Sequence, residues 1–249
     1  MNTINFKNIL LDDGLAAYQG TVEKTKFHKH YATEIIISLD GSFKVIGNDG
    51  LPSEYKLALI KHNVPHQFDC HQCENPLFIF LDPFHVLSQN LTHHFDLNRD
   101  IVKLDELISR KFMSNCCDLF MKGNLFSKRI KQIVSSIAPE TYKFSNKDDR
   151  ITKSFEFIKQ NLDREIKIEA IANMVNLSSS RYAHLFKETA NIPFRRFVLW
   201  SKLQRALESV IDGNSLTVAC HDGGFFDQSH FTKTFIEMFG VTPSSVLKH

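Results

Sequence analysis

The residues of this chain with the clearest capacity for chemistry are His28, His30 and Glu34, in the segment HKHYATE. Imidazole nitrogen and carboxylate oxygen are ligand types for divalent transition metals. Side chains alternate along a strand, so His28 and His30 share a face and Glu34 has the same parity. Farther on, Pro65-His66 precedes another apolar run, with His62 close by. Cys70 and Cys73 flank His71-Gln72. A zinc site normally needs a second ligand pair at set spacing, and none is evident, so this segment reads as a polar loop with free thiols. His85, His93 and His94 read as surface or internally satisfied histidines, and Cys116-Cys117 as part of a helical core.

A second set of chemically suited residues lies near the C-terminus. In SSSRYAHLFKETA, Tyr182, Leu185 and Phe186 form an apolar set, leaving Ser179, Ser180, Arg181, Ala183, His184 and Lys187 outside. In QSHFTKTFIEMF, Phe231, Phe235 and Met238 face inward, leaving Gln228, Ser229, His230, Thr232 and Lys233 outside. Small polar groups and amides can contact base edges, while Arg and Lys suit guanine or phosphate. Either helix alone also fits an ordinary solvated face. The pairing is what matters: short helix, turn, short helix occurs over 168–190 and again over 216–240, with one long helix between.

The elements that must position these residues change character near mid-chain. EIIISL, FKVIG, YKLALIK and PLFIFL are short apolar runs separated by turn signals such as Asp40-Gly41 and Asn75-Pro76, the pattern of a sandwich or barrel. From 98 to 137, IVKLDELISRKFMSN and FSKRIKQIVSSI carry helical periodicity. The polar stretch KFSNKDDR, 143–150, reads as a linker. Beyond it, Ile151, Phe155, Ile158 and Leu162 mark one helix face. Ser178 caps the next recognition-like helix, Pro193 opens a long one, Asp212-Gly213-Asn214 stops it, and Asp227 caps the last.

The order and spacing of Ala172, Leu177-Ser178, Leu185-Phe186-Lys187, Arg205-Ala206, Ala219, Gly224-Phe225, Phe235, Phe239-Gly240 and Pro243 resemble the C-terminal domain of AraC/XylS-type transcriptional regulators. The resemblance covers roughly 151–247 and implies two helix-turn-helix units reading adjacent major-groove segments. It places base-reading positions at Ser180, Ala183 and His184, and at Gln228, Ser229, Thr232 and Lys233. His184 stands where Arg is frequent, which implies less phosphate attraction. Asp222-Gly223 stands where helix formers are usual, which implies a weaker first helix in the second unit. The HxHxxxE spacing followed by Gly41 is similar to the first motif of cupin barrels. That likeness implies a three-His, one-carboxylate set completed by His66, suited to Fe, Mn, Ni or Zn. AraC-type sensors also use such barrels without metal, so the reading here is either a divalent metal site or a metal-free pocket.

Bulk properties are compatible with this. The 249 residues are 43% hydrophobic and 23% charged, ordinary for a globular protein. No apolar run approaches the ~20 residues of a membrane span, and the N-terminus lacks the pattern of a secretory signal. Five cysteines without framework spacing fit reduced thiols in a cytoplasm. Residues 150–249 hold 13 Lys/Arg and 10 Asp/Glu, a net +3, against −1 for 1–149.

The expectation is an α+β chain in four parts: a cupin-like sensor barrel over 1–97, a helical segment and dimer contact over 98–142, a linker over 143–150, and an AraC-type DNA-binding domain over 151–249. Its function is that of a sequence-specific transcriptional regulator rather than an enzyme. Its partners are double-stranded promoter DNA, RNA polymerase, a small-molecule effector and a second copy in a homodimer. The competing reading is a metal-dependent cupin enzyme with a helical appendage.

Overall fold

A computed structural model of the chain describes residues 9–12, 14–83, 85–95, 99–109, 112, 126–138, 148–190 and 192–246. The chain divides into two compact units. One joins Met1–Tyr142 with Phe235–His249, and the other is Lys143–Thr234.

The first unit holds strands β1 (Ile9–Asp12), β2 (Leu15–Gln19), β3 (Thr33–Ile37), β4 (Phe43–Ile46), β5 (Pro52–Tyr55), β6 (Leu57–Ile60), β7 (Gln67–Asp69), β8 (Leu77–Leu81) and β9 (Ile101–Lys103). They form two sheets rather than one closed ladder. A six-stranded sheet runs β1-β2-β8-β3-β6-β9, and a three-stranded sheet runs β5-β4-β7. The central strands are apolar on both sides because both of their faces are covered. Ile35 and Ile37, Leu57 and Leu59, and Leu77 and Ile79 pack with Leu87, Leu91, Ile130 and Val134. Those four lie on helices α1 (Val86–His94) and α2 (Phe126–Ile137). The alternate residues Ile36, Ala58, Ile60 and Phe78 pack with Phe43, Val45 and Phe68 of the small sheet. Period-two alternation thus builds a helix layer, a large sheet and a small sheet.

The expectation of a helix over IVKLDELISRKFMSN is corrected at its start. Residues 101–103 form β9, followed by a 3-10 turn, Asp105–Leu107. The physical reason is the open edge of β6. Val102 pairs with Leu59, Leu104 N–H donates to Leu57 O (2.9 Å), and the Asp105 carboxylate accepts from the N–H of Lys56 and Leu57 (2.9 and 3.0 Å). Satisfying those edge groups outweighs a weak helical period. Cys116-Cys117 and most of the stretch before α2 lie outside the described residues. Helix α1 and strands β1, β2 and β7 were not anticipated. Cys70 and Cys73, expected as free thiols, are paired as a disulfide across their tight loop.

The second unit is helical: α3 (Asp149–Gln160), α4 (Ile168–Met174), α5 (Ser179–Ala190), α6 (Phe194–Ile211), α7 (Leu216–Asp222) and the first part of α8 (Gln228–Phe239). Helix α8 ends in the first unit, where the short α9 (Pro243–Val246) follows. Phe155, Phe186 and Phe197 cluster with centroids 5.0 to 5.5 Å apart. Tyr182 and Phe186 are fully buried as expected, but Leu185 is half-buried.

Candidate DNA-reading faces and a buried histidine cluster

The two helix-turn-helix candidates are built by the same local grammar. Just past the end of α4, Asn176 takes a left-handed conformation (φ 56°), and Leu177 N–H donates back to Ala172 O at 2.9 Å. Just past the end of α7, Gly224 takes the same conformation (φ 69°), and Phe225 N–H donates back to Cys220 O at 2.9 Å. This is the reverse turn that satisfies the last carbonyls of a helix. Caps then start the outer helices. Ser178 Oγ accepts from Arg181 N–H at 3.3 Å, and Asp227 Oδ1 accepts from His230 N–H at 2.7 Å. The second turn is one residue longer, and the additional residue is Phe226, 93% exposed. Sequence reasoning passed over it, although an aromatic directly before a cap residue was the available signal.

The premise of a glycine in the interior of α7 is corrected. Gly223 is not interior but ends the helix, and a Cβ there would lie 2.7 Å from Ala206 Cβ and 2.8 Å from Lys202 O. Its lack of a side chain lets α7 lie close against α6. Asp222 accepts a hydrogen bond from Ser209 Oγ at 2.5 Å, and Lys202 Nζ donates to Gly224 O at 2.6 Å. Burial lowers the Lys202 pKa, opposed by the charge of Asp163.

On α5, Ser180, Arg181, His184 and Lys187 are exposed, and Ser179 and Ala183 are half-buried. His184 Nδ1 lies 3.1 Å from the Glu188 carboxylate, so an acidic group stands on the same surface. On α8, Gln228, Ser229, His230 and Lys233 are exposed and Thr232 is half-buried, while Phe231, Phe235 and Met238 are buried. Each outer helix therefore shows solvent the polar set marked out by its spacing.

The other candidate residues converge inside the first unit. His28 and His66 are directly opposed in antiparallel backbone, each N–H donating to the other's carbonyl at 2.9 Å. Asn63, with φ 61°, makes the turn before this pairing, and its N–H donates to His30 O at 2.7 Å. Glu34 comes from β3 and has the parity of Ile36, facing the small sheet. The chain bends at Tyr31-Ala32, so His28 and His30 do not continue β3 as one strand. That bend, not simple alternation, is what brings them to Glu34.

The four residues are all buried: His28 7%, His30 1%, Glu34 3% and His66 1% exposed. Ring nitrogens of the three histidines lie within 4.8 Å of one another. Glu34 Oε2 sits 3.1 Å from His30 Nε2 and 3.0 Å from His66 Nε2. The His66 contact is at ion-pair distance, and among the described residues His66 Nε2 makes no hydrogen bond. Burial, with His66 and His30 nearby, pushes the His28 pKa down to about 3 and keeps that ring neutral. Burial opposes the charge on Glu34, but the polar contacts and charge of His30 and His66 outweigh it and hold its pKa low. His62, which the spacing left ambiguous, lies outside the cluster of converging nitrogens.

The chemistry of the donor set fits a metal ion. His28 Nδ1 faces Lys26 O (2.8 Å), His30 Nδ1 faces Ala32 O (2.9 Å), and His66 Nδ1 faces Val64 O (2.9 Å). A carbonyl can only accept, so each Nδ1 carries its proton, and the Nε2 atoms of His30 and His66 are left facing Glu34. Backbone carbonyls holding the second ring nitrogen are the usual outer support of a metal-ligating histidine.

Comparisons with known proteins agree with the helical half. Residues 171–249 match the family model described as a helix-turn-helix domain. The chain is 23% identical over 235 residues to the probable transcriptional regulator LumQ of Photobacterium leiognathi, covering 90% of this chain and 93% of that one. It is 27% identical over 130 residues to the XylDLEGF operon transcriptional activator 1 of Pseudomonas putida, covering 51% of this chain and 39% of the activator. Among solved structures, an apo single-site variant of ToxT from Vibrio cholerae matches with a TM-score of 0.66 at 13% identity, over 95% of this chain and 97% of that one. ToxT bound to an unsaturated fatty acid matches with a TM-score of 0.62 at 13% identity, over 99% and 97%. The chain carries a helix-turn-helix domain over residues 171–249 and is a DNA-binding transcriptional regulator. Among the described residues, no helix is long and apolar enough to cross a membrane.

Proposed function

We propose that this regulator reads duplex promoter DNA with the exposed faces of α5 and α8, and that the strand-rich N-terminal part controls it as a cupin-like sensor. The carrying observation is the matched pair of turn-and-cap units with outward polar faces. Ser179, Ser180, Arg181, Ala183, His184 and Lys187 form one contact set; Gln228, Ser229, His230, Thr232 and Lys233 form the other. Arg181, Lys187 and Lys233 supply phosphate attraction, and Gln228 and the hydroxyls supply base-edge contacts. The functional parts are a sensor over 1–97, a dimer contact over 98–142, a linker over 143–150 and a DNA-binding domain over 151–249.

The output is DNA binding in the cytoplasm, with RNA polymerase as the partner at promoters, and not catalysis. A homodimer would present two DNA-binding domains at once and so raise their effective concentration. Control by a small molecule is supported by the solved ToxT structures with a bound fatty acid or a synthetic naphthalenyl butenoic acid. The space between the two sheets here is filled by Phe43, Phe68 and Phe78, with neighbouring rings 5.1 to 5.4 Å apart.

Selection of genomic DNA by the purified full chain tests this reading. Enrichment of a few promoter sites, weakened by salt, is the expected result. Recovery of sequences no different from random DNA would overturn it.

A further inference from the structure

We propose that Cys70 and Cys73 form a reversible thiol–disulfide site that exchanges with low-molecular-weight disulfides and thiols, and that closing it braces one rim of the two-sheet unit. The pair is joined across two intervening residues, with Cα atoms 5.9 Å apart. A Cys-x-x-Cys spacing is that of dithiols whose potentials lie within reach of the glutathione couple. So short a loop removes little chain entropy, so the bond contributes little to holding the fold. Other contacts hold the loop in place. Cys70 N–H donates to Glu23 O at 2.7 Å, and Glu74 N–H to the Asp40 carboxylate at 3.1 Å. The open form is provided for as well. Cys70 Sγ lies 3.3 Å from Cys73 O and 3.8 Å from Ser42 O, both acceptors for a thiol hydrogen. The Asp69 charge, which opposes a thiolate at Cys70, is paired with Lys24 Nζ at 2.7 Å. Both cysteines are buried, Cys73 less deeply than Cys70, and His71 and Gln72 between them are exposed, so the loop borders solvent. The inference rests on the DNA-binding reading for one step: a chain that works on DNA sits among reduced thiols, where a disulfide is exchanged rather than permanent.

In closing, one thiolate attacks a disulfide RSSR, forming a mixed disulfide and releasing RS−. The second thiolate displaces the other RS−. The two thiols thus give up two protons and two electrons, and RSSR becomes two RSH; opening is the reverse. What closure does follows from what meets at the loop. Residues 38–42 link β3 of the large sheet to β4 of the small one, and residues 70–76 link β7 of the small sheet to β8 of the large one. The two links pack together. A Cβ at Gly41 would collide with Gln72 O, and Gly41 N–H donates to Ser38 Oγ at 3.1 Å. Thr21 Oγ1 donates to Glu74 O at 2.9 Å and Gly20 N–H to Pro76 O at 3.3 Å, which brings in the chain after β2. A disulfide within 70–73 therefore stiffens the rim at which the two sheets are joined.

The test equilibrates the full chain in mixtures of reduced and oxidised glutathione, quenches with acid and maps free thiols by alkylation and peptide analysis. The Cys70–Cys73 pair is expected to pass from about one tenth to about nine tenths closed over a roughly 80-fold change in the quotient of oxidised glutathione to the square of reduced, as a two-electron couple requires. Cys70→Ser and Cys73→Ser are each expected to stop at the mixed disulfide with glutathione, and Cys220→Ser to titrate like the wild type. Far-UV circular dichroism accompanies each variant. Amide hydrogen exchange at Gly41, Cys70 and Glu74 is expected to quicken several-fold on reduction. A pair that stays closed in native protein under excess reduced glutathione, a pair that stays open under excess oxidised glutathione, or a titration that maps to other cysteines overturns the redox site. Equal amide exchange in the two states overturns the bracing of the rim. DNA is absent throughout, so either failure leaves the DNA-binding reading to its own experiment.

Discussion

Asn176 and Gly224 hold the same left-handed backbone conformation at the same point of two successive helix-turn-helix units, with φ of 56° and 69°. Their tolerance to substitution differs because their surroundings differ. A Cβ at Gly224 would lie 2.0 Å from Leu162 O, so Gly224→Ala must move backbone as well as accept a strained φ. It is expected to destabilise the protein by ~1–3 kcal/mol. Asn176→Gly meets no such barrier and should be neutral or gain up to ~1 kcal/mol. Chemical denaturation of the two variants checks both, and equal effects would contradict this account.

Lys233 and Gln228 share the exposed face of α8 but should fail differently. Lys233→Ala is expected to weaken binding to all sequences and to lower the salt slope by about one. Gln228→Ala is expected to cost ~1–3 kcal/mol at the preferred site and to relax preference at one base pair. Titrations at several salt concentrations against selected and scrambled duplexes separate the two.

Glu188 lies 3.1 Å from His184 on the face assigned to DNA. Glu188→Gln removes a negative charge that repels phosphate and leaves His184 free to turn outward. Affinity for any duplex should rise a few-fold at low salt, with the gain shrinking as salt is added. A loss of affinity would place Glu188 in a base contact instead.

Phe226, 93% exposed beside the Asp227 cap, buries almost nothing within the chain. Phe226→Ser should leave unfolding free energy within ~0.5 kcal/mol of wild type. Its position at the start of α8 predicts weaker duplex binding, through lost apolar contact with a sugar or thymine methyl. Parallel melting and binding measurements decide whether it serves DNA or only the turn.

Cys220 is buried, and burial followed by the charge of Asp227 raises its thiol pKa from 9.0 to about 11. The folded state thus holds the proton more tightly than the unfolded chain. The stability this contributes is complete below pH 9 and is lost as pH rises toward 11. Cys220 should resist alkylation at about pH 8 in native protein and react once the chain is unfolded, as peptide mapping would read.

What the chain declares locally, it declares well. The faces of α5 and α8, the caps Ser178 and Asp227 and the stops at Gly213 and Gly240 depend on neighbours within a few residues, so sequence spacing alone determined them. The strands β3, β4, β6 and β8 were legible for the same reason, as apolar runs between turn signals. Where a distant partner decided the outcome, local reading stopped short. Strand β9 looks helical by period but pairs with β6, whose open edge is invisible along the sequence. Gly223 looks like a flaw inside a helix, yet it is what lets α7 approach Ala206. His28, His30 and Glu34 were marked by type and spacing, but the direct pairing of His28 with His66 requires two backbone segments to meet. The hydrogen bonds from His28 to Lys26 and from Lys26 to Gly240 join opposite ends of the chain. Such contacts carry no local periodicity, so only the tertiary structure could decide them.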